Sequence, residues 1–189
     1  MTDILVVVDA QNGFCHPMGV KVRYSRTKAE KRSLRRTVVR IRDLLDRARA
    51  KKALCVFLIA NSSRLYAEHT DFRWDTEIHD ELSPKEKEPI FLRDNPSEDP
   101  FLSGLGDFLK SFSTPRLLLC GFYGNKCVWQ TAFGALDRKL PVSFIIDCVF
   151  PNYDTGTQDK FLNLLRKNDR EDEIQLVSFC TMSDLFPNA

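Results

Sequence analysis

The sequence has no apolar run near the roughly 18 residues of a membrane span, and no basic segment leads into an apolar signal core at its start. A soluble, cytoplasmic protein is therefore expected. Its six cysteines (15, 55, 120, 127, 148 and 180) stand singly, without the paired spacing of a zinc site or a disulfide framework, and read as reduced thiols. Glycine is scarce between the first apolar run and the first long helical pattern, where only Gly13 and Gly19 occur. That excludes a Gly-rich dinucleotide fingerprint, and no Lys-Ser/Thr phosphate loop appears elsewhere. Internal repeats and low-complexity tracts are lacking too, which excludes solenoids and disordered linkers.

What remains is a chain of 189 residues, 43% hydrophobic and 29% charged, enough for one domain over residues 1–189 with a core that needs no staples. The net charge of +2 hides an asymmetry: residues 21–52 hold 14 Lys or Arg against three acids. Leu34, Val38, Ile41, Leu45 and Ala48 form a helical stripe through the same block, so the cations occupy the outer face of an amphipathic helix from about Lys28 to Arg49. A solvated face is the expected reading, and nucleic acid is a disfavoured partner.

Short apolar runs bounded by turn formers predict six strands: Thr2 to Asp9, Leu54 to Ala60, Pro89 to Arg93, Pro115 to Cys120, Pro141 to Cys148 and Ile174 to Phe179. Helical patterns lie between them, including about Leu102 to Ser111, Cys127 to Lys139 and Thr155 to Lys167, with a short helix near Ser183. Residues 61–88 have little periodicity and read as an irregular loop. Alternating strands and helices predict an α/β fold, a three-layer α/β/α sandwich with a six-stranded, mostly parallel sheet in the order 3-2-1-4-5-6. In that order the first and fourth strands meet at the switch point, where a crevice opens beyond their carboxyl ends.

That topology brings Asp9 and Cys127 to one crevice, although they are far apart in sequence. Asp9 ends the first strand, and Cys127 follows the fourth across a turn bounded by Gly121 and Gly124. A thiol at a helix start has unpaired amides and the helix dipole beside it, which predicts a pKa lowered from about 8.5 towards neutrality. A nucleophile thus has a carboxylate base within the same crevice.

Three stretches, VVVDAQNGF (6–14), GFYGNKCVWQTAFGALDR (121–138) and VSFIIDCV (142–149), give the whole chain a resemblance to the isochorismatase-like cysteine hydrolases, which include nicotinamidases and carbamoylsarcosine and biuret amidases. The resemblance implies that Cys127 attacks a carbonyl, that Asp9 takes its proton, and that a lysine assists. It implies a cis peptide between Phe122 and Tyr123, and an oxyanion hole made by the backbone amides of Tyr123 and Cys127. Gln11 and Phe14 fall in the family's loop after the aspartate and are expected, with Trp129, to face substrate, while Asn12 ties that loop to backbone. Relatives are commonly homo-oligomers, so at least a dimer is expected.

The chain departs from the family pattern in two places. Where the lysine should end the third strand, the sequence reads FLRDN, and Arg93 is the nearest cation. An arginine holds a thiolate or orients Asp9, but it does not release a proton. The Asp-x-His of nicotinamidases is replaced by Asn61-Ser62-Ser63, with His69 and His79 read as surface loop residues, so no metal and no cofactor is expected. The leading expectation is a metal-independent amidase acting on a small-molecule substrate through a thioester. The alternatives are a non-catalytic binder of this fold and an enol-ether hydrolase in which Asp9 protonates substrate.

Overall fold

A computed structural model describes residues 1–23, 26–61, 72–94, 98–150 and 173–178, together with Asn163, Arg166 and Phe186. Its centre is β1 (Thr2–Val8), whose Ile4 to Val8 are wholly buried. Parallel strands flank it on both sides. β2 (Leu54–Ala60) and β3 (Ile90–Arg93) lie to one side, and β4 (Pro115–Phe122), β5 (Val142–Phe150) and β6 (Ile174–Val177) to the other. The order is β3-β2-β1-β4-β5-β6, and every pairing is parallel, as the alternation of patterns predicts.

Alternate residues of β1 serve different layers, because successive side chains of a strand point to opposite faces. Leu5 and Val7 join a core with Leu34, Val38, Ile41 and Leu45 of the long helix. Ile4, Val6 and Val8 join the opposite core with Phe101, Leu105, Val128 and Ala132. Full burial of each such side chain is worth about 1.5–3 kcal/mol, so both faces of β1 hold the sheet in place. Cys55, Cys120 and Cys148 are buried in the same core; Cys180 and His69 lie outside the described residues.

A short helix α1 (Asn12–Cys15) follows β1, and α2 (Lys28–Ala50) begins with a capping box between Thr27 and Glu30. The cations of α2 are less solvated than the sequence alone indicates. Arg35 and Arg42 pair with Glu81, Arg49 grips Glu88 with two bonds of 2.8 and 2.7 Å, and Arg40 approaches Asp147 at 3.9 Å. Acids from other elements thus offset part of the basic block.

Three expectations change. The helix read from Leu102 to Ser111 is broken into a 3-10 turn (Pro100–Ser103) and α4 (Leu105–Leu109) by Gly104, whose φ of 95° lies in the left-handed region. β5 does not end at Asp147 but continues to Phe150, across a register shift opposite Leu119 to Gly121. Within the stretch read as loop, α3 (Phe72–Thr76) and a 3-10 turn (Asp80–Leu82) are formed. The helices read at 155–167 and near Ser183 lie outside the described residues.

Candidate active site

β1 and β4 part just beyond Val8 and Gly121, and their close approach there demands glycine. Gly121 has φ 124°, and a Cβ on it would sit 2.0 Å from the carbonyl oxygen of Val8. Asp9, the next residue of β1, adopts φ 50°, a left-handed conformation that aspartate tolerates better than most side chains. Its carboxylate is completely buried.

Arg93 at the end of β3 reaches this carboxylate from two strands away. Neighbouring strands stand about 4.8 Å apart, so only a side chain as long as Arg or Lys crosses β2 to touch Asp9. The register pairs Ala60 with Arg93, and the Nη2 of Arg93 donates to Asp9 Oδ1 at 2.6 Å and to Oδ2 at 2.5 Å. Arg93 is 2% exposed, so it is an interior ion-pair partner and not a strand-end surface cation.

Cys127 closes the triangle. It is the first residue of α5 (Cys127–Leu136), and its thiol lies within hydrogen-bonding reach of both Asp9 and Arg93. The amides of Lys126 and Val128 donate to the Tyr123 carbonyl at 3.0 and 3.2 Å, whereas those of Tyr123 and Cys127 have no acceptor among the described residues. The peptide bond between Phe122 and Tyr123 is cis.

The electrostatics of this triangle overturn the expected acidic thiol. Burial and the charge of Asp9 push the Cys127 thiol up to about 12, against the opposing pull of Arg93. The helix-start effect is outweighed because Cys127 lies in the protein beside a carboxylate, not on a wet helix end. Burial likewise raises the pKa of Asp9, although Arg93, Cys127 and the Ala60 amide oppose it. In the resting protein Cys127 is a thiol beside a carboxylate of raised proton affinity. Iodoacetamide should therefore modify Cys127 about tenfold faster for each pH unit from 7 to 10, with no plateau, as peptide mapping of the native protein will show. A plateau below pH 9 would refute the raised thiol.

The loop after Asp9 is held by backbone contacts rather than left open to substrate. Gln11, expected to face substrate, donates from Nε2 to the carbonyls of Ala60 (3.0 Å) and Thr76 (2.8 Å), and its Oε1 accepts from the Ala60 amide at 2.9 Å. Asn12 Nδ2 donates to the Trp74 carbonyl at 3.0 Å, tying the loop down as its sequence position implies. Phe14 is 7% exposed and meets Tyr123 edge-to-face, with the Tyr123 hydroxyl donating to the Phe14 carbonyl at 3.3 Å. Trp129 is half-buried on α5, packed on Phe133 at 4.3 Å between ring centroids.

Sequence reasoning missed the segment Trp74 to His79, which braces this loop. His79 is buried, contrary to its reading as a surface residue; its amide donates to the Ala10 carbonyl at 2.9 Å and its ring lies 5.5 Å from that of His16. Ile78 pairs with Gln11 in an isolated antiparallel bridge. No periodic signal marks these residues, because their partners are 60 or more positions away.

A model of the isochorismatase domain matches residues 3–170. The chain belongs to the isochorismatase family. Among solved structures, this isochorismatase-family chain is similar to N-carbamoylsarcosine amidase from Thermoplasma acidophilum (22% identity over 97% of this chain and 99% of that one, TM-score 0.70). It is also similar to an isochorismatase family protein from Desulfovibrio vulgaris (21% identity, 99% of each chain, TM-score 0.73). A pyrazinamidase of Pyrococcus horikoshii in complex with zinc shares 19% identity over 94% of this chain and 99% of that one, with a TM-score of 0.68. These are likenesses of fold. No curated protein matches the sequence.

The zinc of the pyrazinamidase raises the question of a metal here. After β2 this chain offers an amide and two hydroxyls, Asn61-Ser62-Ser63, and the Nδ2 of Asn61 is directed to Asp94 at 3.5 Å. Such neutral donors do not fit zinc, which takes imidazole, thiolate and carboxylate ligands. Among the described residues no group of three or more His, Cys, Asp or Glu is placed to hold a metal ion. No step below passes through one. No helix among the described residues is long and apolar enough to cross a membrane.

Proposed function

We propose that this isochorismatase-family protein is a cysteine hydrolase that cleaves the C–N bond of a small amide-type substrate through a thioester on Cys127. The observation that carries the proposal is the buried Arg93–Asp9 pair with the Cys127 thiol in reach of both. Asp9 takes the thiol proton as sulfur attacks the carbonyl carbon, and the amides of Tyr123 and Cys127 receive the oxyanion. The C–N bond then breaks, Asp9 passes its proton to the departing nitrogen, and a thioester remains. Water, relieved of a proton by Asp9, attacks the thioester; the acid leaves and the proton returns to sulfur. Arg93 gives up no proton in this scheme, since a guanidinium stays charged at any working pH. It holds the Asp9 carboxylate in place and offsets the negative charge that passes between Asp9 and sulfur.

The raised proton affinity of Asp9 also suits a second reading, in which Asp9 protonates the vinyl carbon of an enol-ether acid and Cys127 is a bystander. One experiment separates the two. Wild type and Cys127→Ala are screened against small primary amides by ammonia release and against enol ethers by pyruvate release, and intact-protein mass spectrometry follows the wild type with each amide. Ammonia release lost in Cys127→Ala, with an acyl adduct mapped to Cys127, is the expected result. Turnover retained in Cys127→Ala would overturn the thioester mechanism.

A further inference from the structure

Arg26 lies flat against the rings of two residues at the mouth of the crevice. Its guanidinium carbon is 5.2 Å from the ring centroid of Tyr123 and 5.6 Å from that of Phe150, the last residue of β5. Stacking of this kind fixes the guanidinium plane and leaves its edges to make hydrogen bonds. One edge is used: Nη1 donates to Glu30 Oε1 at 3.1 Å, and the side chain also bonds the Tyr123 hydroxyl. The Nε–H is shielded from solvent and has no hydrogen-bond partner. Buried donors in native proteins are nearly always paired, so an orphan beside a reactive centre marks the place of a missing acceptor.

The position of Arg26 gives that acceptor a meaning. Tyr123, which Arg26 covers, supplies one of the two candidate oxyanion amides, and its hydroxyl is close enough to Cys127 for the two to influence each other's charge. Arg93 is committed to Asp9. Arg26 keeps 28% of its side chain exposed, so it is reachable from the crevice mouth. Glu30 offsets little of its charge towards a ligand, since that carboxylate is drawn to the Thr27 amide at 2.8 Å and the Thr27 hydroxyl at 2.9 Å.

Resting on the cysteine-hydrolase reading, we infer that Arg26 is a specificity-determining residue that recognises a carboxylate on the substrate, so that the enzyme takes an anionic amide in preference to a neutral one. A planar guanidinium matches a carboxylate with two parallel bonds, the geometry that a single orphan Nε–H and its neighbouring amino group supply.

The test uses alkylating agents that differ by this one group. Iodoacetate and iodoacetamide are compared at Cys127 in the native protein, and the ratio of their rates is taken so that any change in thiol reactivity cancels. The expected ratio exceeds that of a free thiol and falls about tenfold in Arg26→Gln, with Arg26→Lys between the two. An unchanged ratio in Arg26→Gln overturns the assignment. So does a loss of preference in Lys126→Gln instead, since Lys126 is the exposed cation next to Cys127. Iodoacetamide modification without an anion preference would sink the inference and leave the nucleophile standing. If neither reagent modifies Cys127, the inference is decided by calorimetry of Cys127→Ala with succinamate and succinamide. Equal affinity for the two, or a succinamate preference that survives Arg26→Gln, refutes it.

Discussion

Arg93→Gln should destabilise the protein by about 3–5 kcal/mol at neutral pH, the usual consequence of leaving one partner of a buried ion pair without the other. The pair is deep enough for this figure, with both side chains 1% exposed and two short hydrogen bonds between them. The loss is pH-dependent, and its sign follows from Asp9. Burial already raises the folded-state pKa of Asp9 above its unfolded value, and removing Arg93 raises it further. A group of this kind stabilises the fold below its unfolded pKa, and that contribution is lost as pH rises towards the folded pKa. The deficit of Arg93→Gln should therefore be small near pH 4 and grow as pH rises towards 7. Urea unfolding of both proteins across that range measures it; a deficit independent of pH would mean that Asp9 is not the group left stranded. Arg93→Lys should recover part of the stability, since an ammonium reaches the carboxylate but offers no parallel fork.

This pairing was half legible in the sequence. The run ILVVV ending in Asp9 declares a central strand with a carboxylate at its tip, because residues buried on both faces leave a continuous apolar signal. Cys127 at a helix start is visible for the same kind of reason, through the stripe of Val128, Ala132 and Ala135. Sheet order then places the two together. Arg93 was nameable as the nearest cation, but its inward direction depends on the register of Ala60 with Arg93 across 33 residues, which no local pattern encodes. The brace from Trp74 to His79 was hidden in the same way: each of its bonds reaches back to residues 10–20 and none repeats with a period. The acidity of Cys127 was misjudged for a different reason. A helix start favours an anion, but burial and a neighbouring carboxylate act on the same sulfur in the opposite direction and prevail.

The same balance makes Asp9→Asn the most informative substitution in the site. Turnover should fall by about 10²–10⁴, the range that a positioned general base contributes, since the thiol then has no acceptor for its proton and the leaving nitrogen no donor. Reactivity towards iodoacetamide should move the other way. Asp9 is one of the causes that hold the Cys127 thiol at about 12, and Arg93 pulls against it. With the carboxylate gone, Arg93 is a buried cation in need of a partner, and the Cys127 sulfur is within its reach as a thiolate. Each unit of pKa lost is worth about tenfold in thiolate at pH 7.5, so Asp9→Asn should be alkylated at least about tenfold faster than wild type while turning over far more slowly. Slower alkylation in Asp9→Asn would show instead that Asp9 assists the free thiol and that Arg93 does not stabilise the sulfur anion. The two readouts part because alkylation needs only a thiolate, whereas amide cleavage needs the proton to travel from sulfur to nitrogen, and Asp9 is the only group in the triangle able to carry it.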